Sequence, residues 1–203
     1  MSSAHLPRHP AVAYLFLVRR QFSEAIRMSN NQTPAAFISG LFEAHLRVAN
    51  LERSMHFYEE VLGLQLGVKD EARRGAIYWV GGWGRAFLGL WEKPPNKDFR
   101  PWRKDEILKE HLSFRVAPEN LDRAIAALKR KGVEVRNNSG ERTDVPNVFA
   151  WMPAAAVFFD DPDGHLLELL AMLPGKPKPE IGVVSLEEWN RLHGSPAEPK
   201  RGS

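Results

Sequence analysis

The 203-residue chain has no cysteine, and this removes disulfides, thiolate metal ligands, thiol nucleophiles and redox switching together. Any metal held by side chains must therefore use His, Asp or Glu, and a cytoplasmic location is the expectation. No apolar run approaches the ~18 residues that a membrane span needs, so no membrane partner is expected. Nor is charge of one sign concentrated anywhere. The 28 Lys and Arg residues are interleaved with 25 Asp and Glu for a net charge of +3, which leaves no basic stripe to track a phosphate backbone, and nucleic acid is not an expected partner. What remains is a chain with 43% apolar residues, enough to bury a core in one domain or two small ones.

The N-terminal stretch holds an apolar run at residues 11–18 followed by Arg19-Arg20-Gln21-Phe22. A secretory signal places positive charge before a longer apolar segment, and here the order is reversed. Residues 1–37 read as a loosely ordered extension, with Met28 opening a more ordinary protein start.

The chain contains an internal repeat. Phe42-Glu43-Ala44-His45-Leu46-Arg47-Val48-Ala49 lies over Glu110-His111-Leu112-Ser113-Phe114-Arg115-Val116-Ala117, anchored on the shared Arg-Val-Ala. Each copy then enters a helix. Asn50 caps the first, whose Leu51, Met55, Tyr58 and Leu62 recur at helical spacing before Gly63; Leu121, Ile125 and Leu128 mark the second, which Gly132 ends. Strands are expected next at residues 64–68 and 133–136. Hairpins follow, pairing residues 76–80 with 86–91 across Gly81-Gly82-Trp83-Gly84, and 157–159 with 165–172 across Asp161-Pro162-Asp163-Gly164.

The unit is β-α-β-β-β written twice, over residues 38–100 and 108–173, so the fold class is α+β with the two modules forming a concave mixed sheet over residues 38–173. Residues 174–203 read as a stiff Pro-Lys linker, a short helix opened by the capping box Ser185-Leu186-Glu187-Glu188, closed by Gly194 and standing as an appendage, and a tail.

Alternate residues of a strand face opposite sides, so parity sorts the side chains that can meet. Glu43 is the counterpart of His111, while His45, on the face of Glu43, matches Ser113. Leu166-Leu167-Glu168-Leu169-Leu170 lies over Phe87-Leu88-Gly89-Leu90-Trp91, which sets Gly89 opposite Glu168 in the other half. A carboxylate among four leucines costs several kcal/mol unless it is paired or binds a cation. Arg47 and Arg115 are the candidate partners, and their parity is read as placing them off the face of Glu43, His45 and His111. The alternative collects His111, Glu168 and one or both of Glu43 and His45 into a site with open coordination positions, the ligand chemistry of a catalytic Zn, Mn, Ni or Fe(II) centre.

The other candidates are read as structural. His165 is three residues from Glu168 and so on the opposite face. His56 lies on the outside of a helix, His5, His9 and His193 sit in tails, and Glu92 should point outward. Trp79, Trp83, Trp91 and Trp151 are assigned to the core, with Trp83 the first to move to a pocket wall.

The segment from Glu43 through Ser54, with Phe57-Tyr58 and Val61-Leu62-Gly63-Leu64, resembles the opening module of vicinal-oxygen-chelate proteins. Phe158-Phe159-Asp160-Asp161-Pro162-Asp163-Gly164-His165-Leu166-Leu167-Glu168 resembles their closing strand pair, so the glyoxalase-like fold is expected over about residues 40–173. The resemblance implies a metal held by a His of the first strand, a His of the strand opening the second module and the Glu of the last strand. The last two fall on His111 and Glu168. At the first the chain departs from the pattern, holding Glu43 with His45 two residues on, and three readings stay open: Glu43 takes the role, His45 takes it, or they share the ion. The resemblance further implies a homodimer and a small substrate whose vicinal oxygens the metal chelates, with lyase, isomerase or dioxygenase chemistry, Glu43 or Glu168 acting as base. With only Tyr14, Tyr58 and Tyr78 in the chain, the tyrosine of the extradiol and fosfomycin branches is missing, and the carboxylate of glyoxalase I near Gly89 is missing as well. The competing reading is a metal-free small-molecule or antibiotic-binding resistance protein of the bleomycin-resistance type.

Overall fold

The structure is a computed structural model that describes residue 35 and residues 38–93 and 102–193. The chain divides into two compact units, residues 1–41 and 42–203. Of the first, residues 35 and 38–41 are described and are exposed; the rest of the N-terminal extension, with His5, His9 and the Arg19-Arg20 pair, lies outside the described residues, as does the tail from Gly194 onward. The second unit carries all that follows.

Its first half runs β1 (Glu43–Arg47), α1 (Leu51–His56), β2 (Gln65–Asp70), β3 (Gly75–Val80) and β4 (Ala86–Trp91). Asn50 caps α1, its side-chain oxygen accepting from the Arg53 amide at 2.8 Å. The helix then widens into a π-turn at Phe57–Val61. That extra residue per turn lets the adjacent Phe57 and Tyr58 both face inward, at 8% and 0% exposure, before Gly63 turns the chain at φ 70°. The four strands lie in the order β1-β4-β3-β2, β1 parallel to β4 and the others antiparallel.

The second half repeats the plan with β5 (His111–Arg115), α2 (Leu121–Arg130), β6 (Asn147–Phe149), β7 (Ala154–Asp160) and β8 (Leu166–Met172). β5 runs parallel to β8, as β1 does to β4. The strand expected at residues 133–136 is reduced to a bridge in which Arg136 exchanges hydrogen bonds with Phe158. The next residue explains this: the Asn137 side-chain oxygen accepts from the amides of Ser139 and Glu141, both at 3.0 Å, and turns the chain off the sheet.

The C-terminal segment is not the appendage its Pro-Lys linker implies. β9 (Val183–Ser185) adds to β6, giving a second sheet in the order β5-β8-β7-β6-β9. It leads into α3 (Leu186–His193), capped by Ser185 Oγ, which accepts from the Glu188 amide at 3.1 Å. Trp189 of this helix is 2% exposed and belongs to the common core, so the helix closes the domain.

That core joins the halves through Leu46, Val48 and Leu90 on one side and Val157, Phe159 and Leu167 on the other. A polar joint fixes their register. Asp163 accepts from the Ala49 amide at 3.2 Å and from Ser54 Oγ at 3.0 Å, and pairs with Arg53. Asp161 accepts from Tyr58 Oη at 3.0 Å. Burial pushes the Asp161 carboxyl above the usual carboxylate range, opposed by His165 and by the donors around it, and burial likewise raises the Tyr58 phenol. The hairpin turn Asp161-Pro162-Asp163-Gly164 is therefore also the socket into which α1 docks. No helix among the described residues is long and apolar enough to cross a membrane.

Candidate functional site

The parallel pairing of β1 with β4 and of β5 with β8 brings the candidate residues onto equivalent positions. Glu43 stands beside Phe87 and His45 beside Gly89; His111 stands beside Leu166 and Ser113 beside Glu168. Along β1 and β5 the exposed positions are the odd ones, with Glu43, His45 and Arg47 on one strand and His111, Ser113 and Arg115 on the other.

In the second half His111 Nε2 lies 3.2 Å from Glu168 Oε2. The imidazole is 48% exposed and the carboxylate 6%. No Arg or Lys among the described residues pairs with Glu168, so the arginine partners weighed for it are absent. The parity assigned to Arg47 and Arg115 is also corrected: each is an even number of residues from the candidate ligands of its own strand and shares their face. Arg47 instead lays its guanidinium 4.6 Å from the ring centre of Trp102.

In the first half the same two group types occur with their positions exchanged. The carboxylate is on the opening strand, at Glu43, and the imidazole of His45 fills the place where residue 89 would carry a side chain. A Cβ on Gly89 would lie 2.2 Å from His45 Nδ1, so the ring keeps this place only while residue 89 is glycine. The Trp91 indole donates to that Nδ1 at 2.8 Å. The neutral ring must then carry its proton on Nε2, which points toward Glu43 Oε2 at 3.7 Å. Its lone pair is committed to Trp91, so His45 becomes a ligand through Nδ1 only by giving up that bond.

The structure thus brings His111 to Glu168 and His45 to Glu43. It does not bring the two pairs together: among the described residues no group of three or more His, Asp or Glu side chains converges closely enough to hold an ion.

His165 occupies the structural place expected for it. It is fully buried, its Nδ1 accepts from the Glu110 amide at 3.1 Å, and its Nε2 meets the Arg47 carbonyl at 2.8 Å. One imidazole thereby ties the end of β1 to the start of β5. His56 is exposed. Glu92 does not point outward. It is 8% exposed and accepts from the Leu51 amide at 2.9 Å and from Arg74 at 2.6 Å, because the face it shares with Leu88 and Leu90, opposite the candidate ligands, is the one packed on the core. The tryptophan assignment is also overturned: Trp83 and Trp151 are 81% and 54% exposed, while Trp79 and Trp91 are half-buried.

Trp91 also lines a feature that sequence reasoning missed, a cavity of about 440 Å³ bounded by His45, Arg47, Trp91, Lys93, Trp102 and Glu110. Its one sequence signal was Trp91, two residues beyond Gly89 and so on the face of His45. Trp102 lay between the two modules, and Glu110 opened the second repeat one residue before His111.

Comparison with known proteins agrees with the layout. The profile of the Glyoxalase/Bleomycin resistance protein/Dioxygenase superfamily matches residues 40–169. Among solved structures, an integron cassette protein from the mobile metagenome of the Halifax Harbour sewage outfall is 37% identical, the match covering 66% of this chain and 100% of that one at a TM-score of 0.54. Lactoylglutathione lyase from Agrobacterium tumefaciens is 17% identical over 66% of this chain and 94% of its own, at a TM-score of 0.50. Oxidase ChaP-H2 is 17% identical over 68% and 98%, at 0.51. The last two share the fold alone.

Proposed function

The chain belongs to the Glyoxalase/Bleomycin resistance protein/Dioxygenase superfamily, and from that premise we propose that it is a divalent-metal-dependent enzyme acting on a small substrate through two neighbouring oxygens. The His111–Glu168 pair supports this reading most directly. Two ligands about 2.1 Å from one ion, at octahedral to tetrahedral angles, lie roughly 3.0–3.4 Å apart, and His111 Nε2 and Glu168 Oε2 are 3.2 Å apart. A buried carboxylate with an imidazole as its only partner among the described residues is stabilised by a cation.

His111 and Glu168 supply two ligands. Glu43, the positional counterpart of His111, supplies the third from a second copy of the chain, with His45 beside it, in a homodimer that faces the first half of one chain with the second half of the other. A divalent ion of the Zn, Mn, Ni or Fe(II) class, when bound, supplies Lewis acidity to two substrate oxygens. Glu43 is the candidate base: its side chain is 53% exposed against 6% for Glu168, so it is the carboxylate free to take up and return a proton at a substrate carbon or hydroxyl. The Trp91 indole holds the His45 ring over Gly89, with its Nε2 proton directed at Glu43.

The test is the metal content of the purified protein, beside His111→Ala and Glu168→Ala. About one divalent ion per chain, lost in both variants, is the expected result. No ion in the wild type even after reconstitution moves the protein to the metal-free binding class, and an ion retained in both variants sinks the assignment of these ligands.

A further inference from the structure

We infer that the cavity at the junction of the two halves takes a planar aromatic ligand bearing a carboxylate or equivalent oxyanion. The inference goes beyond the proposed function, since of the residues placed in that site only His45 lines this cavity. The cavity, about 440 Å³, is of the size that holds a one- or two-ring molecule. Two indoles, Trp91 and Trp102, form its aromatic wall, and aromatic faces select flat ligands by offset stacking.

Its polar groups are biased toward donors. Arg47 and Lys93 line the cavity, and no carboxylate among the described residues is paired with either. Arg47 is stacked on Trp102, which shields one face of the guanidinium and leaves its N–H edge for a bidentate oxyanion. The Trp102 indole N–H is buried with no hydrogen-bond partner among the described residues. Glu110 is the one carboxylate on the wall. It is not paired with Arg47, although His165 holds their two backbones on opposite sides of its ring.

The probes are 2-naphthoate, its neutral analogue 2-naphthamide and the cationic 2-naphthylmethylammonium, titrated into the full chain and followed by calorimetry and tryptophan emission. Naphthoate is expected to bind about tenfold or more tighter than the amide, the worth of one charge-assisted hydrogen bond, and the ammonium weakest. Arg47→Gln should bring naphthoate to within about threefold of the amide, and Arg47→Lys should restore part of the difference. His111→Ala should leave naphthoate affinity within about twofold, which separates this inference from the metal reading: loss of the ion without loss of the naphthoate preference touches only the latter. Equal binding of acid and amide, tightest binding of the ammonium, a preference that survives Arg47→Gln, or no binding of any probe overturns the inference.

Discussion

Gly89 offers a test of the first half-site that needs no substrate. A Cβ at this position would lie 2.2 Å from His45 Nδ1, 2.9 Å from its Cε1 and 3.0 Å from Trp91 Nε1, so Gly89→Ala cannot be accommodated with the ring in place. Residue 89 sits in an ordinary strand conformation, and backbone strain plays no part. Because the His45 side chain is 42% exposed, it relieves the clash by swinging out, which forfeits the hydrogen bond from Trp91, worth about 0.5–1.5 kcal/mol. Against this, replacing a strand glycine by alanine gains roughly 0.5–1 kcal/mol. In the wild-type background the two terms nearly cancel, leaving a change between a gain of about 0.5 and a cost of about 1 kcal/mol. In a His45→Ala background the clash with the ring and the bond are both gone, leaving only the 3.0 Å approach to Trp91 Nε1, and the same substitution should stabilise by up to roughly 0.5–1 kcal/mol. Urea unfolding of the four proteins of this cycle should give a coupling of about 1 kcal/mol, with Gly89→Ala the more favourable in the His45→Ala background. Equal effects of Gly89→Ala in both, within about 0.5 kcal/mol, would refute the placement of the His45 ring.

Three further outcomes follow from the same structure. His165→Ala removes a fully buried ring and both hydrogen bonds that tie β1 to β5, and should cost about 3 kcal/mol in urea unfolding; a cost under about 1 kcal/mol would mean the two strand ends are held by something else. Arg74 grips Glu52 through two hydrogen bonds of 2.6 Å and holds its carboxyl down at about 2. A depressed carboxyl contributes stability that is present above the unfolded value of about 4.3 and lost as the pH falls through the folded one. Wild type should therefore exceed Glu52→Gln at pH 6 by less than about 1 kcal/mol, since the pair is half exposed, with the margin gone by about pH 2; a margin independent of pH contradicts the assignment. If the ligand sets are completed between copies, His111→Ala and Glu43→Gln chains should each lack the ion. Refolded together, they should regain about a quarter of the wild-type metal content, since half the dimers then carry one intact site of two; no recovery argues for a site within one chain.

The sequence disclosed the parts of the fold that obey a short period. Strand alternation fixed which faces of β1, β5 and β8 the candidate residues occupy, and the shared Arg-Val-Ala gave the alignment that the observed pairings of His45 with Gly89 and of Ser113 with Glu168 reproduce. What escaped rests on partners distant in the sequence. Glu92 continues the buried face of Leu88 and Leu90, and a charge is tolerated there because of Arg74, which is 18 residues away. The segment with β9 and α3 follows a Pro-Lys linker whose local stiffness says nothing of where the chain returns, and only the tertiary contact of Trp189 shows that it closes the core. The turn at Asp161 and Asp163 carries an ordinary hairpin signal, and its second role becomes visible only when Ala49, Ser54 and Tyr58, more than 100 residues earlier, are seen donating to it.

The two departures of this chain from its family pattern are physically one. A carboxylate at position 43 in place of a histidine, and a glycine at 89 opposite the carboxylate of the other half, look independent along the sequence. In the fold they are joined by His45, whose ring occupies the space that Gly89 leaves and turns its Nε2 toward Glu43. Each half consequently presents one imidazole and one carboxylate on its strand face, but His111 and Glu168 come from the opening and closing strands of their half, whereas Glu43 and His45 both come from the opening strand, the ring of His45 reaching over Gly89 of the closing one. The arrangement has an energetic asymmetry. Glu168 is buried and has only His111 for a partner among the described residues, so its half is held in a fixed geometry that a cation stabilises. Glu43 and His45 are exposed, and Trp91 alone orients the ring. Removing a group from the second half should therefore abolish ion binding outright, whereas removing the Trp91 donor, as in Trp91→Phe, should loosen the first half and weaken the ion while leaving the second half intact.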